Sequence, residues 1–326
     1  MPTNNGNSTI ARKYREQYGW EMPTLKLARI MYKENKESFK DIETARGRLR
    51  YIEGKYGKNS PKAVVKRPDR PKNPYNLPSS DESVYEPYVL KAKRVLLLSD
   101  IHVPYHSIDA LTACFNSAKK EKPDAVVLNG DTIDMFMLSR FEKNPKARSF
   151  AHELATFQQL FERLQNIFKA KIYFKLGNHE ERYNHFLWMK AGELDGVDEF
   201  SLENIIKARA EGIEVIGDKR KILAGGLTIL HGHEIPNAGF GPVNIARGLF
   251  NKAFASSIQG HNHRTSEHSE QDLHGKLITT WSTGCLCDLH PAYMPINRWN
   301  HGYALIDVDK DKFHVRNKRI YKGEIV

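Results

Sequence analysis

At 326 residues, with 40% hydrophobic side chains and only three cysteines, the chain can bury one large core and a smaller one, and it lacks the cysteines for a disulfide framework. It contains no run of about 18 apolar residues, and its start, MPTNNGNSTIARKYREQ, has no apolar signal core; a soluble, intracellular (cytoplasmic) protein without a membrane partner is expected. The formal charge of +11 is unevenly placed: Met1 to Lys72 carries 18 Lys and Arg against 8 Asp and Glu, and the remainder 32 against 31.

The basic segment has helical periodicity. From Thr24, TLKLARIMYKEN places Leu25, Ala28, Met31 and Tyr32 on one face behind Pro23, a residue suited to a helix start. A second helix is expected from Ser38, where Asp41 completes a capping-box-like pair; Ile42, Ala45, Leu49 and Ile52 form its apolar side, and Gly54 and Gly57 would end it. Two such helices joined by a short turn resemble a helix-turn-helix, with Arg46, Arg48 and Arg50 projecting from the second. Residues 1–57 are therefore read as a basic helical module with affinity for nucleic acid, because phosphate neutralisation drives such binding. A protein-docking module or a solubilising tail is the other reading of the same charge. Residues 58–88 hold six prolines and little periodicity, which marks a linker.

Residues 89–326 read as a second domain. RVLLLSD, DAVVLNGD and KIYFKLGNHE are apolar runs that end in polar clusters, separated by two segments with helical spacing. This β-α-β-α-β order implies parallel strands with covering helices and a site beyond their carboxyl ends. Further on, hairpins are expected around Gly225-Gly226, near His274-Gly275 and around Asp309 to Asp311. The expected fold class is α/β: a layered αββα sandwich of two mixed sheets flanked by helices, with a small N-terminal helical domain.

Five clusters carry the chemistry: DIH (Asp100, His102), GDTID (Gly130, Asp131, Asp134), GNHE (Gly177 to Glu180), HGH (His231, His233) and GHNH (Gly260, His261, His263). In this order they resemble the signature of the calcineurin-like metallophosphoesterase superfamily, D-x-H, G-D, G-N-H-D/E, H and G-H-x-H, over roughly residues 92 to 285. The resemblance implies a dinuclear metal-dependent phosphoesterase. One ion would be held by Asp100, His102, Asp131 and His263, and the other by Asp131, Asn178, His231 and His261, with Asp131 as the bridge. A metal-bridging hydroxide would be the nucleophile and His179 the general acid. Mixed N and O donors suit manganese, the first expectation, and also iron, zinc or nickel. The glycines before Asp131, Asn178 and His261 are expected to form tight turns.

The remaining candidates have plainer readings. His233 is expected to stabilise the turn after His231. Asp134 either orients a histidine or caps a loop. His106, His185, His290 and His301 are expected on surfaces or loops. Cys285 and Cys287 read as one face of a strand, and GFGP at 239–242 as an ordinary loop. The segment GDTIDMF has Met135 and Phe136 where the protein phosphatase branch of the superfamily has V-D-R-G. That departure turns the expectation towards the nuclease and phosphodiesterase branches, and the layout is similar to phosphoesterases of phages and mobile elements. The expected substrate is thus nucleic acid or a nucleotide. Alternatives are a small-molecule phosphoesterase with a tethering N-terminal module, or a non-catalytic nucleic-acid-binding protein. Nothing in the pattern specifies an oligomeric state.

Overall fold

In the computed structural model, residues 5–20, 22–54, 75, 77–78, 85–143, 149–235 and 243–326 are described, and the chain divides into two units, Met1–Glu82 and Ser83–Val326. Most of the Pro-rich 58–88 segment and the GFGP loop lie outside the described residues.

Among its described residues, unit 1 contains three helices, α1 (Asn5–Tyr18), α2 (Thr24–Glu34) and α3 (Ile42–Ile52). The first has no counterpart in the sequence reading, and its presence shifts the buried face of the second. Leu27, Ala28 and Met31 of α2 are buried, whereas Leu25 is exposed. The third helix starts later than expected, because Asp41 is its N-cap and accepts from the Thr44 N–H at 2.7 Å, a stronger start signal than Ser38. Its Ala45, Leu49 and Ile52 join Ala11, Tyr14 and Phe39 in one apolar cluster.

Unit 2 begins with β1 (Tyr88–Val89) and β2 (Arg94–Leu98), followed by α4 (Ile108–Glu121), β3 (Ala125–Asn129), α5 (Phe150–Ile167) and β4 (Lys171–Lys175). These supply the expected β-α-β-α-β alternation, and β2, β3 and β4 pair in parallel. Next come α6 (Glu181–Lys190), two single turns α7 (Leu202–Ile205) and α8 (Ala208–Glu211), and β5 (Glu214–Ile216), which adds to β4. The three expected hairpins form as β6 (Ile222–Ala224) with β7 (Leu227–Leu230), β9 (Ser266–Gln271) with β10 (Leu277–Ser282), and β11 (His301–Asp309) with β12 (Lys312–Tyr321). Helix α9 (Ile245–Ala253), β8 (Ser257–Gln259) and β13 (Glu324–Ile325) complete the unit.

Two mixed sheets result, ordered β1-β6-β7-β8-β10-β9 and β13-β12-β11-β2-β3-β4-β5. Side chains alternate across a strand, and β2 shows the consequence: Val95 and Leu97 pack with Ile222, Ile229 and Ile258 of the other sheet, while Leu96 and Leu98 pack with Ala110 and Phe157 of the helices. Buried on both sides, β2 and β3 are apolar throughout, which is why their polar ends stand out. The carboxyl ends of β2, β3 and β4 from one sheet, and of β7 and β8 from the other, carry all five clusters.

Candidate metal centre

Each cluster begins where a strand stops. The loops are then tied across the two sheets: Asn129 Nδ2 donates to the Leu230 carbonyl (2.8 Å), Gly260 N–H to the His231 carbonyl (2.8 Å), and His261 N–H to the Asp100 carboxylate (2.9 Å). Five of the expected ligands, Asp100, His102, Asp131, His261 and His263, have positive φ, between 50° and 66°. Left-handed backbone costs a side chain roughly 1–2 kcal/mol, least for Asp and His, so the chain bears strain at these positions to turn their side chains inward.

The glycines work differently from expectation in two cases. Gly130 has φ +81°, a true left-handed turn, but Gly177 and Gly260 do not; a Cβ at Gly177 would sit 2.3 Å from Asp131 Oδ1, and one at Gly260 1.8 Å from Ser99 Oγ and 2.7 Å from Asp100 Oδ2. Close approach, not the turn, requires those two glycines.

The ligand atoms converge on two places. Asp100 Oδ1 lies 3.2 Å from His263 Nε2, which faces His102 Nε2 at 3.3 Å. Asp131 Oδ2 lies 3.2 Å from His231 Nε2, which is 3.3 Å from Asn178 Oδ1, and His261 joins Asp131 and His231 in one group of ligand atoms. The same Asp131 Oδ2 is 3.9 Å from His102 Nε2 and 3.8 Å from His179 Nε2, so it stands between the two groups. All seven candidate ligands are thereby brought together.

Several partners set the imidazoles. The carboxylate of Asp134 accepts from His102 Nδ1–H at 2.8 Å, and the Asn129 carbonyl accepts from His231 Nδ1–H at 2.8 Å. With Nδ1 held by these acceptors, both rings turn Nε2 toward the centre, where a cation would take the place of a proton. Asp134 is therefore an orienter of histidines. Burial alone would raise its carboxyl, but the hydrogen bonds to His102 and His179 outweigh this and hold it well below the usual range. For His231 and His263, burial alone would lower the imidazole; Asp131 and Asp100 respectively outweigh it and push each up to about 10. Burial and the neighbouring His231 instead push His261 down to about 4.

The donor set fits a pair of cations. Among the described residues, His261 Nδ1 is buried without a hydrogen-bond partner, and two ring nitrogens face each other across 3.3 Å. Buried lone pairs left in this way are costly unless a cation meets them.

His179 stands in the group with His102 and Asp131, but protein partners occupy both its nitrogens. Nδ1–H donates to the Asp134 carbonyl (2.8 Å), and Arg182 Nη2 donates to Nε2 (2.9 Å). His233 bonds Glu181 Oε1 at 3.0 Å through Nε2 and sets its ring against that of His231, with centroids 5.3 Å apart. Cys285 and Cys287 are buried in isolated bridges instead of a strand, because the chain there runs between the sheets' ends; the Cys287 sulfur groups with His102 and His263, partners that sequence spacing could not reveal. His106 bridges to Cys287, His185 packs on Trp188, His290 bonds the Pro295 carbonyl and His301 the Cys287 carbonyl.

Glu234, Asn129 and Arg182 were not foreseen as parts of the site, and Glu180, a member of the GNHE cluster, has no role of its own in the sequence reading. Glu180 is fully buried and accepts from the N–H groups of Asp131, Thr132, Ile133 and Gly177. Glu234 accepts from His231 N–H (3.0 Å) and pairs with buried Lys175 (2.7 Å); burial would raise it, but Lys175 holds it down at about 2. A shared signal was available, since each glutamate follows by three residues the backbone N–H it captures, as in a capping box.

Comparison with known proteins gives the family. The calcineurin-like phosphoesterase profile matches residues 93–284. The chain belongs to that family. As a calcineurin-like phosphoesterase it is a metal-dependent phosphoester hydrolase, with the mixed α/β fold expected of the superfamily. The Gene 54 protein of Mycobacterium phage L5 is 26% identical over 237 residues, 67% of this chain and 90% of that protein. Among solved structures, wild-type Vps29 complexed with zinc from Entamoeba histolytica is 12% identical, covering 72% of this chain and 96% of its own, with a TM-score of 0.37. A dimetal phosphatase from Danio rerio is likewise 12% identical, covering 69% and 95%, with a TM-score of 0.37. No described helix of this phosphoesterase is long and apolar enough to cross a membrane.

Proposed function

We propose that this phosphoesterase is dinuclear and acts as a phosphodiesterase on nucleic acid or nucleotides, with unit 1 supplying affinity for the polyanion. The supporting observation is the place of Asp131 Oδ2 between two groups of ligand atoms. Asp100, His102 and His263 lie on one side, and Asn178, His231 and His261 on the other. Two divalent ions held there, manganese first among them, would polarise a phosphoryl oxygen and lower the pKa of an attacking water.

The remaining work falls to protein groups. Asp134 and Asn129 hold the rings of His102 and His231 with Nε2 inward, and Glu180 fixes the Asp131 loop. His179 is placed to give a proton to the departing ester oxygen. Burial alone would lower it, but Asp131 and Asp134 outweigh burial and raise it, the direction that favours the protonated ring a general acid needs. On α3, Arg46 pairs with Glu43 at 3.2 Å while Arg50 is exposed; Arg48 and Arg50 are the better candidates for phosphate contact.

A substrate panel tests the reading: bis-p-nitrophenyl phosphate, p-nitrophenyl phosphate, and single- and double-stranded DNA, each with added Mn²⁺. Diesters should turn over faster than the monoester, and no hydrolysis of any would overturn the proposal. Deleting residues 1–72 should weaken DNA binding and flatten its salt dependence, while hydrolysis of the small diester stays unchanged. Equal DNA affinity in the shortened protein would refute the role of unit 1.

A further inference from the structure

We propose that Arg182 is the side chain with which this site grips a phosphoryl oxygen of its substrate, and that it does so by exchanging its hydrogen bond to His179 Nε2 for one to that oxygen. This rests on the phosphoesterase reading above and adds to it a substrate-binding residue.

Arg182 differs from several part-buried cations that meet carboxylates: Lys175 with Glu234, Arg94 with Asp307, Arg316 with Glu121 and Asp307. Arg182 makes no ion pair among the described residues. Its Nη1 donates to the Asp134 carbonyl at 2.8 Å and its Nη2 to His179 Nε2 at 2.9 Å. A guanidinium has five donors arranged as a fork that matches phosphate, and among the described residues only these two bonds restrain it. It is half-buried, in the first turn of α6, immediately after the GNHE loop, so the helix fixes its root while four side-chain torsions let the head move.

The bond to His179 is also the one that substrate binding should break. An imidazole that is to donate a proton from Nε2 cannot at the same time accept there from Arg182, since two N–H groups would then face each other. The free site is therefore arranged with Arg182 parked on His179, one hydrogen bond away from the nitrogen that lies 3.8 Å from Asp131 Oδ2. A phosphoryl group bound beside Asp131 brings an acceptor within the fork's reach. Arg182 then turns to that oxygen, and His179 Nε2 is free to take up a proton from solvent water and hold it toward the ester oxygen. No bond to phosphorus forms or breaks in this exchange.

The oxygen in question is one the metal ligands do not already account for. In a monoester it is the third non-ester oxygen; in a polynucleotide it is an oxygen of the neighbouring phosphate. The two sources are separated by comparing p-nitrophenyl phosphate with a dinucleotide that carries a 5′-phosphate.

The test uses the full-length protein loaded with Zn²⁺, which is diamagnetic, and titrates inorganic phosphate calorimetrically into wild type, Arg182→Ala and Arg182→Lys. With metal content unchanged, Arg182→Ala should weaken phosphate binding about 10- to 100-fold, as expected for loss of a charged hydrogen bond, and Arg182→Lys should recover part of it. KM for a hydrolysed ester should rise by a similar factor, more than kcat falls. In wild type, ¹⁵N spectra should show His179 Nε2 changing environment when phosphate is added. Unaltered phosphate affinity in Arg182→Ala would overturn the proposal, as would loss of metal in both variants, which would make Arg182 a structural support. Phosphate binding is read without turnover, so an inactive wild type would sink the proposed hydrolysis and still leave Arg182 decided.

Discussion

The chain buries charge in two places and in opposite ways. In unit 1, Arg15 of α1 and Glu53 at the end of α3 are 2% and 7% exposed and paired, and Thr24 of α2 donates its hydroxyl to the same carboxylate. Arg15 also donates to the carbonyls of Gly19 and Met22 at 2.8 Å. One cation meets one anion, and the pair ties three helices together. In unit 2, Asp100 and Asp131 are surrounded by imidazoles that face one another, with His261 Nδ1 lacking a partner among the described residues. A buried pair that is already matched needs nothing further, whereas a cluster with unspent lone pairs is prepared for a cation.

Breaking each cluster should therefore have a different readout. The largest effect is expected from Asp131→Asn, which removes the charge shared by both ligand groups. Turnover should fall by about 10³-fold or more, several kcal/mol of transition-state stabilisation, with bound metal lost by elemental analysis. His179→Ala should cost about 10² to 10⁴ in kcat with metal retained; loss of metal would assign the ring to ligation. Arg15→Ala should remove the cation buried against the Glu53 carboxylate and destabilise unit 1 by about 3–5 kcal/mol. Calorimetric melting would show this as a lowered transition, while hydrolysis of a small diester continues at its former rate.

A smaller effect attaches to Glu153 of α5, buried beneath the loop that carries Asp134. Burial, helped by Asp134, pushes its carboxyl up to about 7 from an ordinary 4.5. The favourable contribution of this group is present below pH 4.5 and is lost as pH rises through about 7, because only the folded state keeps the proton over that range. The full loss is roughly 3 kcal/mol. Glu153→Gln should flatten the fall in stability between pH 4.5 and 7.5, followed by urea unfolding at several pH values; an unchanged slope would remove Glu153 from the account.

Legibility in the sequence also differed between the regions. The catalytic unit was readable because its strands are short and apolar on both faces, so that DIH, GDTID and GNHE each mark a strand end. The hairpins were readable from Gly and Asp at their turns. Unit 1 was read less well. Helix α1 has few apolar residues, Ala11 and Tyr14 being the ones it buries fully, and without it the face of α2 was placed on Leu25 instead of Leu27.

The amino-acid sequence alone determined the kind of ligand, their order and the strands that carry them, because strand ends and donor types are local properties. Tertiary structure alone decided which groups meet. It set Asp131 between two clusters, turned His102 and His231 by way of Asp134 and Asn129, and pinned two ligand loops on Glu180 and Glu234. It also brought Cys287 beside His263 and laid Arg182 on His179. These are contacts between segments whose separation along the chain bears no relation to their distance in space, and they exist only because two sheets close with the carboxyl ends of their parallel strands together.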